Sequence, residues 1–159
     1  GQLEDSLTLH QEEEQLCREL GYKAVLQASL ENQGVILLDQ GDLHGAAAKF
    51  REQAMLCREL DDRENLATAL SNQADILRVQ GKLDEAMKLY EELESAHRQA
   101  GDHEGRARAL ADQALVLADA GRSRAAFRLA VEAHQLASQH GYVQLAHQIR
   151  QLQEALRPP

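Results

Sequence analysis

A chain of 159 residues is long enough for one domain with a real hydrophobic core. This one must build that core with 43% apolar residues but only 3% aromatics and no tryptophan. Its formal net charge of −9 comes from 26 acidic and 17 basic residues without a clustered Lys/Arg stripe, which argues against nucleic acid as a partner. A core of Leu, Ala, Val and Ile suits closely approaching helices, and Ala, Leu, Glu, Gln and Arg are good helix formers. Pro158 and Pro159 are the only prolines, so no helix is interrupted internally. The composition predicts an all-α protein. No apolar run approaches the roughly 20 residues of a membrane span, and no signal peptide opens the chain.

Turn residues arrive every 20 positions, at Gly21, Gly41, Asp61, Gly81, Gly101, Gly121 and Gly141, and divide the chain into eight segments of helical periodicity. The first, about 3–20, ends in "EEQLCREL", which aligns with "QAMLCREL" at 53–60. The second, about 23–39, carries Leu26, Leu30, Ile36 and Leu37 and runs into "ENQGVILLDQGDL". The third has Ala46 and Phe50 at a spacing of four. The fourth, about 63–79, repeats the second with Leu66, Leu70, Ile76 and Leu77 and the stretch "SNQADILRVQGKL". The fifth repeats the third through Ala86 and Tyr90. The sixth, about 103–119, contains "ADQALVLADAGRS", and the seventh has Ala126 and Ala130. The last, about 142–156, has one apolar seam of Leu145, Ile149, Leu152 and Leu156, the pattern of a terminal cap. Two segment types, A and B, therefore alternate as B–AB–AB–AB–A. A long coiled coil is excluded, because its heptads would run through every glycine.

Several residues make the pattern specific. Small residues stand at Gly34, Ala74 and Ala114, leucine at 37, 77 and 117, glycine at 41, 81 and 121, alanine at 46, 86 and 126, and an aromatic at Phe50 and Tyr90. These resemble the tetratricopeptide repeat. The period is 40 residues, as in the long-repeat variant similar to those of kinesin light chains and Pins-type spindle adaptors, and the aromatic is lost at Ala130. The resemblance implies a right-handed α-solenoid of antiparallel helix hairpins with about eight helices. Its parts are a B-type helix at 3–20, repeats at 22–61, 62–101 and 102–141, and a capping helix at 142–157, all in one array over 1–159.

In repeats of this class the A helices line a concave wall. There the resemblance implies a peptide-binding face of Asn32, Val35 and Asp39, then Asn72, Asp75 and Arg78, then Arg108, Asp112, Leu115 and Asp119. An amide suits such a role because it both donates to and accepts from a peptide backbone. Gln33, Gln73 and Gln113 adjoin the small packing residues and are expected at a helix seam, where identical amides could bond neighbouring helices. The histidines are scattered, and Glu94 with His97 makes a lone E-x-x-H, so no metal site is expected. No strained nucleophile turn or phosphate-cradling loop points to catalysis. No cofactor is expected either.

Cys17 and Cys57 occupy equivalent positions on successive parallel helices, which lie about 9–10 Å apart. That is too far for a disulfide, so reduced cysteines in a cytoplasmic compartment are expected. Residues 1–102 hold 21 acids against 10 bases, while 103–159 hold 5 against 7; a polar array facing solvent explains most of this, and an acidic surface that steers a basic partner is the second reading. The expected function is a non-catalytic scaffold that binds a protein or peptide. The rival is self-association of a larger regulatory protein's scaffold segment through an open N-terminal stacking face.

Overall fold

The structure is a computed structural model that describes residues 2–157; Gly1, Pro158 and Pro159 lie outside the described residues. Among those residues there are eight α-helices and no strand. They are α1 (Gln2–Leu20), α2 (Lys23–Asp39), α3 (Leu43–Leu60), α4 (Arg63–Val79), α5 (Leu83–Ala100), α6 (His103–Asp119), α7 (Ser123–Gln139) and α8 (Val143–Ala155). The A segments become α2, α4, α6 and α8, and the B segments α1, α3, α5 and α7.

The first seven helices end for the same reason. Gly21, Gly41, Gly81, Gly101, Gly121 and Gly141 all take positive φ, and Asp61 follows them at 53°. This left-handed residue turns the next amide back onto the carbonyl five residues earlier. The bonds are Tyr22→Cys17, Asp42→Leu37, Asp62→Cys57, Lys82→Leu77, Asp102→His97, Arg122→Leu117 and Tyr142→Ala137, at 2.8–2.9 Å. This is the Schellman C-cap, which satisfies a carbonyl that the helix leaves orphaned. Asp42, Asp62 and Asp102 then cap the following helices, their carboxylates accepting from the amides of Gly45, Asn65 and Gly105.

The chain divides into two compact units, Gly1–Ile76 and Leu77–Pro159, with the boundary inside α4. In the first unit Ala46 and Phe50 are buried with Ile76 against Leu37, Leu38 and Leu43. Gly34 is the residue that lets Phe50 in: a Cβ there would meet the ring at 2.7 Å. At the equivalent positions of the second unit Ala114 and Ala130 are both fully buried. A second cluster joins Cys17, Leu26 and Leu30 to Leu56. In the second unit Ala107, Leu110 and Ala111 of α6, Ala133 and Ala137 of α7, and Leu145, Ala146 and Ile149 of α8 form one core. Leu152 packs on it from the side, so most of the seam read from the sequence is the buried side of α8.

Both cysteines are buried and free. Burial, with the negative charge of Asp62 and Glu31 nearby, pushes the Cys57 thiol up to about 11. It stays protonated and faces the Gln27 amide oxygen at 3.7 Å.

Polar side chains join helices within the first unit. Glu14 of α1, only 14% exposed, accepts from Gln33 of α2, Lys49 of α3 and Arg18 of its own helix at 2.6–2.7 Å. Burial alone would raise its pKa, but these donors outweigh it and hold Glu14 at about 2, against an ordinary 4.5. Since the folded value lies below the unfolded one, the stabilisation is complete above about pH 4.5 and is lost as pH falls toward 2.

Two predictions follow from these contacts. Urea midpoints measured down through that pH window should fall less steeply in Glu14→Gln than in the parent, because the substituted side chain has no proton to take up. Asp61→Gly should raise stability by about 0.5–1 kcal/mol in chemical denaturation, because glycine takes the left-handed conformation without a Cβ penalty. The exposed 3.5 Å ion pair of Asp61 with Arg63 offsets little of that gain.

Candidate peptide-binding surface

Adjacent residues of the repeated stretch have opposite fates. Gln33 is fully buried, and its Nε2 donates to the backbone carbonyl of His10 at 3.1 Å. Gln73 donates in the same way to the carbonyl of Phe50, and Gln113 to that of Tyr90, each at 3.1 Å. Acceptor and donor lie 23 residues apart every time. Each amide thus clasps the preceding B helix through its backbone, and no glutamine of the series bonds another. The expected seam position is correct, and each amide bonds a neighbouring helix as expected, through that helix's backbone. A backbone carbonyl needs no particular side chain on the partner helix, which is why Gln serves beside His10, Phe50 and Tyr90 alike. At the first clasp Ser29 adds a second hydrogen bond to the His10 carbonyl, at 2.8 Å.

Asn32, one residue earlier, points to solvent, as do Val35 and Asp39. On α4 Asn72 is partly buried and Asp75 exposed. Among the described residues neither Asn32 nor Asn72 spends its side-chain amide on a partner. These five residues belong to the first unit. The other five belong to the second. There Arg78 and Asp119 form a 2.8 Å ion pair between α4 and α6, and Arg108 pairs with Glu104 one turn away at 2.7 Å. Asp112 and Leu115 are partly exposed on α6. Arg78 and Asp119 therefore already serve a helix–helix contact.

Other polar contacts escaped sequence reading because they do not repeat. Gln53, fully buried, donates to Glu31 at 2.9 Å, and Gln27 donates to Asp62 at 2.6 Å. The Gln27 and Asn65 hydrogen bonds keep the Asp62 carboxyl below its usual range. Leu93 and Ala133 stand where Gln53 does, so periodicity carries no trace of that contact. The histidines are less scattered than expected. His103 and His140 stack with ring centroids 3.7 Å apart, and His97 pairs with Asp102 at 2.7 Å. Glu94 instead accepts from Arg106 at 2.7 Å, so the E-x-x-H residues serve separate partners. No group of three or more metal-ligating side chains occurs among the described residues.

The Tetratricopeptide repeat profile matches residues 25–96 and 65–139, well over half of the chain together. The chain belongs to the tetratricopeptide repeat family. Among solved structures it is similar to the crystal structure of BtubC (BKLC) from P. vanneervenii, with a TM-score of 0.69 at 19% identity over 99% of this chain and 74% of that one. At that identity the likeness is one of fold. A search of curated protein sequences finds no match. Tetratricopeptide repeats are non-catalytic units that mediate protein–protein interaction and scaffolding. No helix among the described residues is long and apolar enough to cross a membrane.

The contrast between the neighbouring amides is measurable in stability. Gln113→Ala removes a buried hydrogen bond and leaves the Tyr90 carbonyl short of one, and should cost about 1–2 kcal/mol. Asn32→Ala, at an exposed position, should stay within about 0.5 kcal/mol of the parent. Paired denaturation curves decide the point.

Proposed function

We propose that this chain is a non-catalytic interaction module that holds an extended or helical peptide along the exposed faces of its A helices. The observation that carries the proposal is the split within the repeated pair, in which the glutamine is spent on the fold and the asparagine is not. Asn32 and Asn72 in the first unit would each bond the ligand backbone, with Val35 giving apolar contact and Asp39 and Asp75 attracting positive charge. In the second unit the same phase offers Arg108, Asp112 and Leu115, while Arg78 and Asp119 hold each other and shape the surface around them. Asp112 replaces the amide with an acceptor-only group. The exposed carboxylate of Asp39 on this face favours a ligand with basic side chains. The buried protonated thiol suits a reducing, cytoplasmic location.

A peptide array carrying basic sequences, followed by fluorescence anisotropy on the peptides retained, tests the proposal. Asn32→Ala/Asn72→Ala should weaken binding about tenfold or more, as expected for two lost hydrogen bonds, with the melting temperature unchanged. Binding at parental strength in that variant would rule the amide rungs out. Enhanced retention of acidic peptides over basic ones would refute the charge preference.

A further inference from the structure

Three arginines stand at the start of α7 and carry uncompensated charge. Arg122 is the N-cap residue, Arg124 and Arg128 follow on the helix, and all three are exposed. No acid occurs between Asp119 and Glu132. Both of those are already engaged, Asp119 with Arg78 at 2.8 Å and Glu132 with Arg106 at 3.4 Å. Among the described residues none of the three arginines forms an ion pair. Arg18, Lys23, Lys49, Arg63 and Arg108, by contrast, each meet a carboxylate.

The repeat shows that the fold does not require arginine here. The same phase carries Asp42, His44 and Ala48 on α3, and Lys82, Asp84 and Lys88 on α5. Asp42 caps α3 through the Gly45 amide. Arg122 makes no side-chain cap bond and adds positive charge at the positive end of the helix dipole. On α5 the first turn offsets Lys82 with Asp84 and Glu85, but α7 has no acid in its first turn. The arrangement costs local stability and leaves guanidinium forks open, each able to take both oxygens of a carboxylate. Arg124 and Arg128 are neighbours at i and i+4, about 6 Å apart along the axis. Alternate side chains of an extended peptide lie on one side at a similar interval, about 7 Å.

We propose that the first two turns of α7 dock an extended acidic segment of another protein, with carboxylates at alternate positions seated on Arg124 and Arg128. Arg122 raises the positive potential at the same end of the helix. Charge decides for this occupant over a nucleic acid: three arginines are too few to hold a phosphate backbone against a net charge of −9. A membrane surface is disfavoured as well. Among the described residues, no exposed large apolar side chain falls between Val79 and Val143, so nothing beside the arginines would insert. The contact is electrostatic and weakens with salt. It involves none of the A-face residues proposed to bind peptide and has the opposite charge preference, so either reading can fail without the other.

Fluorescence anisotropy of the full chain with a labelled synthetic peptide of alternating glutamate and serine tests this. Binding should saturate below about 1 mM peptide and weaken as salt is raised from about 50 to about 500 mM. Arg124→Glu/Arg128→Glu should weaken it about tenfold or more without changing the circular dichroism spectrum. If that reversal perturbs the fold, Arg124→Gln/Arg128→Gln makes the same comparison with a smaller effect. Arg51→Glu/Arg98→Glu changes the net charge equally at exposed positions elsewhere and should leave the affinity within about twofold. Arg122→Asp should weaken binding yet raise the urea midpoint, because it supplies the cap that Asp42, Asp62 and Asp102 give other helices. Asn32→Ala/Asn72→Ala should leave this peptide's affinity unchanged. No binding by the parent chain, or an equal loss in Arg51→Glu/Arg98→Glu, would overturn the proposal. So would tighter binding of a thymidine oligonucleotide of equal charge or of phosphatidylserine vesicles.

Discussion

A residue in the left-handed conformation, once every twenty positions, is the constraint on which everything else depends. It stops one helix, returns an amide to the carbonyl five residues back, and aims the chain into the next helix two or three residues later. Six glycines adopt this conformation at no steric cost, and Asp61 adopts it with a Cβ. Because the turns are alike, the helices they join are nearly equal in length, and residues 40 apart meet similar surroundings. The regular environment is a consequence of regular reversal, and the repeated contacts follow from it.

Given those turns, two choices of side chain set how closely the helices approach. Small residues at 34, 46, 74, 86, 114 and 126 remove bulk where helices cross, and Phe50 occupies the space that Gly34 vacates. The glutamine series then ties α2, α4 and α6 each to the backbone of the B helix before it. A clasp on a main-chain carbonyl tolerates change in the partner's side chain. Such a chain can vary most of its positions and keep its architecture, which is what a 19% identical structure of the same fold demonstrates.

Variation is then free to act on charge. Residues 1–102 carry most of the acidity, and some of it is spent internally, as at Glu14, where three donors keep the carboxylate ionised despite burial. Much of the rest lies outward, on the A faces at Asp39 and Asp75 and on α1 at Glu12 and Glu19. The helices α7 and α8 present histidine and arginine instead. The ligand proposed along the A helices draws on this polarity.

Periodicity by itself determined that this is an all-α array of eight helices. It also set the ends of five helices, α1, α2, α4, α6 and α8, to within a residue, and assigned Gly34 and the alanines to packing. These features depend on local backbone conformation and on spacing, and both are written into the order of the residues. Only the tertiary structure decided what each polar side chain touches. Nothing in the order of residues says that Gln33 reaches a carbonyl while Asn32 does not, that Arg78 meets Asp119, or that His103 stacks on His140 across 37 positions. A hydrogen bond or ion pair depends on distances of a few tenths of an ångström between groups remote in the chain. The packing of whole helices sets those distances, and a pattern that does not repeat leaves no periodic sign of them.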